Sequence, residues 1–490
     1  MNFKVISVLT LVLTAFILPS CKKLVEVDGP ATSVSSKNVY NNDATAIGAI
    51  TSLYVNLSNG SPINSQELTG LSCIAGLSAD EFDYYSGAGS QTLAVYFQNA
   101  LNSTNVSNDF WRTIYQRLYV VNEALEGLGS STKLTPRVKQ DLTGEAYFMR
   151  AFYYFYLVNL YGDVPLVLST DYTVNAVIKR SPKVLVYSQI VADLKEAQSL
   201  LNDFYLKGDV ITAYPVGFEE RVRPNKCVAT AFLARTYLYM GEWTNAEIQT
   251  TNVLTNTTQF HLEPLNEVFL KNSYEAIWQL QPTQNGFNTQ EANTFILSAE
   301  GPSNGASGNY PVYISNELIK DFEIGDQRKT SWIGSVSVKN TTYYYPYKYR
   351  VKYSSVTNAP ITEYNTIMRL AELYLIRAES RARLGNLTNA ISDIDQIRNR
   401  AGLPLVKDTN PNISQEDLLT LILKEKRIEF FTEWGHRWLD LKRTGKVDEV
   451  MAKVTPKKSN GGEWKSYQQY YPIWSYELQS NPNLIQTQGY

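Results

Sequence analysis

Few side chains in this 490-residue sequence are spaced for covalent or acid–base chemistry. The two histidines, His261 and His436, lie far apart without metal-ligand spacing, so neither a zinc site nor a histidine-dependent triad is expected. Asp and Glu are plentiful, but no signature singles out a catalytic pair of carboxylates. Asp80, Glu81 and Asp83 crowd together and could alternatively hold calcium, though they lack the ligand spacing of a regular calcium loop. The reading adopted is no metal, no other cofactor and no enzymatic activity. Of the three cysteines, Cys73 and Cys227 read as buried free thiols, with a disulfide in an oxidising compartment as the alternative. That leaves Cys21.

Residues 1–20 hold one early lysine, Lys4, then an apolar run over residues 5–18, then Pro19 and Ser20. A run of about 14 residues is too short to stay in a bilayer as a spanning helix and reads as a secretory signal peptide. The stretch Leu18-Pro19-Ser20-Cys21 resembles a bacterial lipobox, which implies that Cys21 becomes the lipidated first residue of the mature chain. The alternative is an ordinary cleaved signal followed by an incidental cysteine. Several acyl chains on one cysteine anchor a protein stably where one would not.

Composition bounds the rest. A net charge of -2 with no basic stripe argues against nucleic acid as a partner. Hydrophobic content of 44% with 19% charged residues is that of a globular body, and no later apolar run is long enough to cross a membrane. The outlier is aromatic: 34 Tyr, 18 Phe and 8 Trp. Most must pack the core, but Tyr and Trp also stack on sugar rings.

The positioning elements read mainly as helices. Residues 21–42 form the lipidated cysteine and a polar tether. Over residues 141–160, Leu142, Ala146, Met149, Tyr153, Leu157 and Leu160 recur at helical spacing while Phe148, Phe152, Phe155 and Tyr156 fill the other faces. A helix apolar all round is buried between neighbours. Residues 240–246 match residues 384–390 almost position for position, with Ala234 and Ala378 each seven residues before a glycine. Both read as helix, glycine turn, helix, similar to the tetratricopeptide unit. A third, weaker pair is expected from Phe110 to Leu160. Long insertions separate these units: residues 205–224 and 283–312 are rich in turn signals, and residues 310–353 carry Tyr310, Tyr313, Trp332, Tyr343, Tyr344, Tyr345, Tyr347, Tyr349 and Tyr353. Long aromatic loops of this kind are the best place for a binding face.

Four stretches together resemble the SusD/RagB family of outer-membrane nutrient-binding lipoproteins. They are Gly144-Glu145-Ala146 with Arg150-Ala151-Phe152-Tyr153-Tyr154-Phe155 and Tyr161-Gly162-Asp163-Val164-Pro165-Leu166; Arg369-Leu370-Ala371-Glu372 with Ala378-Glu379, Gly385 and Arg398-Asn399-Arg400-Ala401-Gly402-Leu403; Lys426-Arg427-Ile428-Glu429-Phe430 with Gly435-His436-Arg437-Trp438-Leu439-Asp440-Leu441-Lys442-Arg443; and Tyr471-Pro472-Ile473 with Asn481-Pro482-Asn483-Leu484. The resemblance implies a mainly α fold: tetratricopeptide-like helical repeats, a SusD-like α/α superhelix, packed against a loop-rich second lobe. The expected divisions are 1–20, 21–42, an N-terminal helical region 43–270, an aromatic lobe 271–360, a C-terminal repeat region 361–445 and an ordered tail 446–490. It also implies a SusC-like TonB-dependent outer-membrane transporter as partner, a membrane reached through the lipid anchor, exposure at the cell surface, and an oligosaccharide ligand; some relatives take peptides.

Sugar recognition needs a flat apolar surface for ring faces and amides or charges for hydroxyls. One expected platform is the segment containing Phe82, Tyr84 and Tyr85, and the other is the loop region holding Phe287, Asn288, Tyr310 and Trp332. Changing Trp332 and Tyr84 to Ala is expected to abolish binding without unfolding the chain. Trp278 reads as core strand, and Trp111, Trp243, Trp434 and Trp438 as helix packing. Arg437, Trp438, Asp440 and Arg443 imitate a charged site, but their helical spacing points to packing and ion pairing. The alternative functions are a peptide-binding surface lipoprotein and a tetratricopeptide-type interaction scaffold.

Overall fold

The computed structural model describes residues 36–63, 67–86, 89–106, 110–305, 308–356 and 358–490. The signal peptide, Cys21 and most of the tether lie outside them. The helices that build the scaffold are α1 (Asp43–Ser58), α2 (Phe110–Ser130), α3 (Pro136–Tyr161), α4 (Lys183–Leu200), α5 (Lys226–Met240), α6 (Trp243–Leu254), α7 (Leu370–Arg383), α8 (Leu387–Arg400), α9 (Gln415–Glu429) and α10 (His436–Arg443). The expected third pair is present as α2 and α3.

Local chemistry explains the ends. Pro136 sits in the first turn of α3, where its missing N–H costs nothing. The Asn225 side chain accepts from the Val228 amide to start α5. Gly241 ends α5 at φ 77°, and Gly385, at the matching place after α7, has φ 80°. That left-handed backbone is open to glycine at little cost, which is why the two repeats share it. Ala234 and Ala378 are fully buried, as close helix approach demands. Although 115 residues, 255–369, separate them in the chain, α6 packs directly on α7, and Arg381 reaches back to Glu247 at 2.8 Å. The repeats are tandem in space.

The insertion between α6 and α7 leaves and returns through one antiparallel pair. The short strands used below are β1 (Phe82–Tyr84), β2 (Ala276–Leu280), β3 (Val312–Ile314), β4 (Ile333–Val338), β5 (Thr341–Pro346) and β6 (Asn365–Arg369). β2 pairs with β6, Asn365 opposite Leu280 and Arg369 opposite Ala276, and β6 runs straight into α7. Every β2 residue is buried. Trp278 packs edge-on against Phe148 at 5.0 Å and Phe152 at 5.2 Å, which ties the strand to the largely buried helix α3. β4 and β5 form a hairpin turning at Lys339 and Asn340, both at positive φ, the geometry that suits tight hairpins. β1 pairs with β3, joining residues 82–84 to the insertion.

A buried ionic junction locks the insertion to the repeats. Arg369 reaches Glu275 at 2.9 Å and Glu433 at 2.8 Å and also contacts Glu429. Arg400 bridges Glu275 and Glu429, and Arg328 bridges Asp326 and Glu429 at 2.8 and 3.0 Å. Such charges persist in a core only because each is answered by an opposite charge.

Candidate functional site

A cleft opens where the C-terminal end of α1 meets the loop that follows β2. The Ser58 hydroxyl donates to the Gln281 carbonyl at 2.6 Å, and the Thr283 hydroxyl donates to the Asn59 side-chain oxygen, so residues 281–283 form a strap across it. On one side lies a chamber of about 440 Å³ lined by Tyr54, Tyr214 and Arg223. On the other lies a much smaller socket of about 10 Å³; Leu280 and Thr283 line both. The second wall of the socket is built by the loop of residues 284–291, which is knitted to a second loop at residues 353–354. Tyr353 N–H donates to the Asn293 side-chain oxygen at 2.6 Å, and Ser354 N–H donates to the Gly286 carbonyl at 2.8 Å. A Cβ on Gly286 would stand 2.2 Å from the Ser354 carbonyl oxygen, so only glycine permits this approach.

The knitted loops present the half-buried Phe287 ring against Tyr353, centroids 5.0 Å apart and inclined 50°. Tyr353 is 54% exposed. The amides of Gln284 and Gln290 flank the pair, linked at 3.3 Å. Beneath them, Thr69, Glu291 and Asn365 are buried, and Oγ1 of Thr69, Oε2 of Glu291 and Oδ1 of Asn365 have no hydrogen-bond partner. Asn365 Nδ2 donates to the other Glu291 oxygen. Burial pushes the Glu291 carboxyl up to about 7. Aromatic rim, amide shoulders and an oxygen-lined floor suit a ligand with apolar ring faces and hydroxyl edges.

The residues expected to bind from the sequence divide sharply. Phe287 stands at the rim. Tyr310 is half-buried nearby, with Lys352 Nζ 4.6 Å over its ring and 3.0 Å from its hydroxyl. Tyr84 and Tyr85 are half-buried at the β1 edge; the Tyr84 hydroxyl donates to the Ser90 carbonyl at 3.0 Å, and Tyr85 N–H to Pro311. Two expectations are corrected. Trp332 has no exposed surface: its indole N–H donates to the Leu265 carbonyl at 2.8 Å, and Phe269 and Lys348 cover its faces. Phe82 is stacked on Phe295 at 5.2 Å in the core. Asn288 is buried and also lines the socket; its oxygen accepts from the Thr362 and Glu363 amides at 2.7 and 3.0 Å, which holds the loop in place. Tyr353, Thr69, Glu291 and Asn365 were not singled out as binding residues; only the tyrosine run containing Tyr353 carried a signal.

The acidic cluster is structural. Asp80 receives two bonds from Arg437, at 2.8 and 2.9 Å, and a third contact from Arg427 at 2.9 Å. Burial alone would raise its carboxyl, but the two guanidiniums hold it well below the ordinary range. Burial, then the Asp80 charge, pushes Glu81 up to about 8, and Glu81 accepts from Thr432 N–H. Arg443 is likewise spent on Asp440 at 2.6 Å and Glu379 at 2.7 Å, with Trp438 buried beside them. Cys73 is buried, Cys227 half-buried, and both are free thiols.

Comparison with known proteins agrees with this architecture. Residues 327–490 match the family model described as the SusD family, and residues 71–238 match one described as starch-binding associating with outer membrane. The chain belongs to the SusD-like family. A SusD-like protein of Formosa agariphila is 25% identical over 544 residues, covering 100% of both chains. The starch-binding protein SusD of Bacteroides thetaiotaomicron is 32% identical over 126 residues, 25% of this chain and 21% of that one. Among solved structures, a SusD superfamily protein from Bacteroides vulgatus superposes with TM-score 0.75 at 21% identity, covering 92% of this chain and all of the other. A laminarin-binding SusD-like protein superposes with TM-score 0.72 at 23% identity over 92% of this chain and 100% of its own. The mainly helical SusD-like fold is therefore this chain's fold. Among the described residues, no helix of this SusD-like chain is long and apolar enough to cross a membrane.

Proposed function

We propose that this SusD-like chain is a non-catalytic glycan-capturing lipoprotein of the outer membrane. The observation that carries the reading is the Phe287–Tyr353 ring pair set over an oxygen-lined socket. Ring faces stack on aromatic faces while the amides and buried oxygens meet hydroxyl edges. The names of the starch-binding and laminarin-binding relatives support the same ligand class. Among the described residues lining the socket, Glu291 is the one carboxyl group, whereas glycoside hydrolysis in most families needs two flanking the bond. That supports capture over cleavage.

The finer reading has Cys21 acylated, the body at the cell surface, and ligand passed to a SusC-like TonB-dependent transporter. The family resemblance carries these parts. A contiguous face bearing exposed Tyr172, Val174, Val177 and Ile485 suits docking against such a barrel; Asn483 ties the tail to this face through the Val177 carbonyl at 2.7 Å. The peptide-scaffold alternative loses ground because α6 and α7 spend their repeat faces on each other.

Affinity electrophoresis through gels containing single polysaccharides tests the ligand class. Expected is retardation by one class, lost in the Phe287→Ala/Tyr353→Ala double variant. Retardation of the double variant equal to wild type would remove the assignment of the site.

A further inference from the structure

The socket beneath the aromatic pair differs from the rest of the protein in its charge. Thr69, Glu291 and Asn365, 3%, 4% and 8% exposed, line it, and each carries one oxygen without a hydrogen-bond partner. Among the described residues, no lysine or arginine lines the cavity. Two lysines of the surrounding insertion are committed elsewhere. Lys352 is held by the Ile296 carbonyl at 2.9 Å and by Tyr310, and Lys348 by the Glu429 and Phe431 carbonyls at 2.8 and 2.9 Å.

Resting on the glycan reading, we propose that this socket seats a hydroxyl of an uncharged sugar and rejects sulfated or carboxylated sugars at this subsite. At about 10 Å³ the space admits one water-sized group and no ring. A sugar hydroxyl carries one donor and two acceptor lone pairs. It donates to a carboxyl or amide oxygen of Glu291 or Asn365 and accepts from the Thr69 hydroxyl. A sulfate or carboxylate brings acceptors alone and a charge, into a dry site beside a carboxyl and without a counter-cation. Desolvating that charge is uncompensated. A calcium ion fits worse than a hydroxyl, because three protein oxygens fall short of the six to eight it takes.

The test compares the purified full chain against neutral glucans, xylans and mannans, against polyuronates and naturally sulfated polysaccharides, and against the best neutral ligand after chemical sulfation. Expected is binding confined to a neutral glycan, at least tenfold weaker after sulfation, and indifferent to EDTA. Thr69→Val, which keeps the shape and removes the hydroxyl, weakens that binding about tenfold, and Thr69→Ser restores it. Melting curves confirm folding of both variants, and the wild-type comparison needs no variant. Preference for an acidic glycan, undiminished binding after sulfation, or wild-type affinity in folded Thr69→Val overturns the proposal while leaving glycan capture standing. Binding abolished by EDTA makes the socket a cation site and also overturns it. No binding to any glycan removes the capture reading itself, and the socket's ligand with it.

Discussion

Two buried polar regions of this protein are built on opposite principles. At the junction of Arg328, Arg369 and Arg400 with Glu275, Glu429 and Glu433, full charges are buried and answered by full charges. Among the described residues lining the socket of Thr69, Glu291 and Asn365 there is no cation, and three oxygens are left with unspent bonding capacity. The junction joins residues as much as 125 positions apart into one scaffold, so its charges are committed to architecture. The socket keeps its valences open. In this molecule, conspicuous charge marks structure, and unsatisfied neutral polarity marks the binding candidate.

The strongest way to break that contrast is at the junction. Arg369→Ala leaves the Glu275, Glu429 and Glu433 carboxylates buried without their shared partner, and the expected destabilisation is roughly 3–5 kcal/mol or more by urea unfolding. A loss below about 1 kcal/mol would show that the junction is not structural in this sense. Trp332→Ala belongs on the same side, with an expected cost of about 3–5 kcal/mol from the cavity left in the core and no change in glycan affinity per folded molecule.

At the socket the signature is pH. Burial raises Glu291 from an ordinary 4.5 to about 7, so the folded protein keeps a proton that the unfolded chain has shed. Stability linked to that proton is present in full below about 4.5 and is lost as pH rises through about 7, a change on the order of 3 kcal/mol. The difference between wild type and Glu291→Gln, followed by urea midpoints from pH 4 to 8, is expected to trace that decline. A flat difference would place Glu291 in contact with water. The smallest stability effect is expected at the rim. Phe287→Ala/Tyr353→Ala changes stability by about 0.5 kcal/mol per site or less while lowering glycan affinity about tenfold or more, as titration calorimetry would read.

Much of the scaffold was legible because its signals are local. The paired glycines Gly241 and Gly385 require a left-handed backbone, and the all-round apolar pattern of residues 141–160 has no stable place except between other elements. The spacing of Arg437, Asp440 and Arg443 was correctly read as ion pairing, although their partners Asp80 and Glu379 could not be named. The site was less legible. Phe287 and Trp332 look alike as loop aromatics, yet one faces a cleft and the other is sealed by Leu265, Phe269 and Lys348. Asn288 looks like a sugar-binding amide and does line the socket, yet its oxygen is already spent on the 362–363 backbone.

The sequence by itself determined the family, the helical repeats and the division into helical scaffold and aromatic insertion, since these follow from periodicity, turn chemistry and motifs within short windows. Only the tertiary structure decided which aromatics face outward and which oxygens remain unpartnered. Thr69, Glu291 and Asn365 come from three distant segments, and only the folded chain brings them to one socket and leaves an oxygen of each unpartnered.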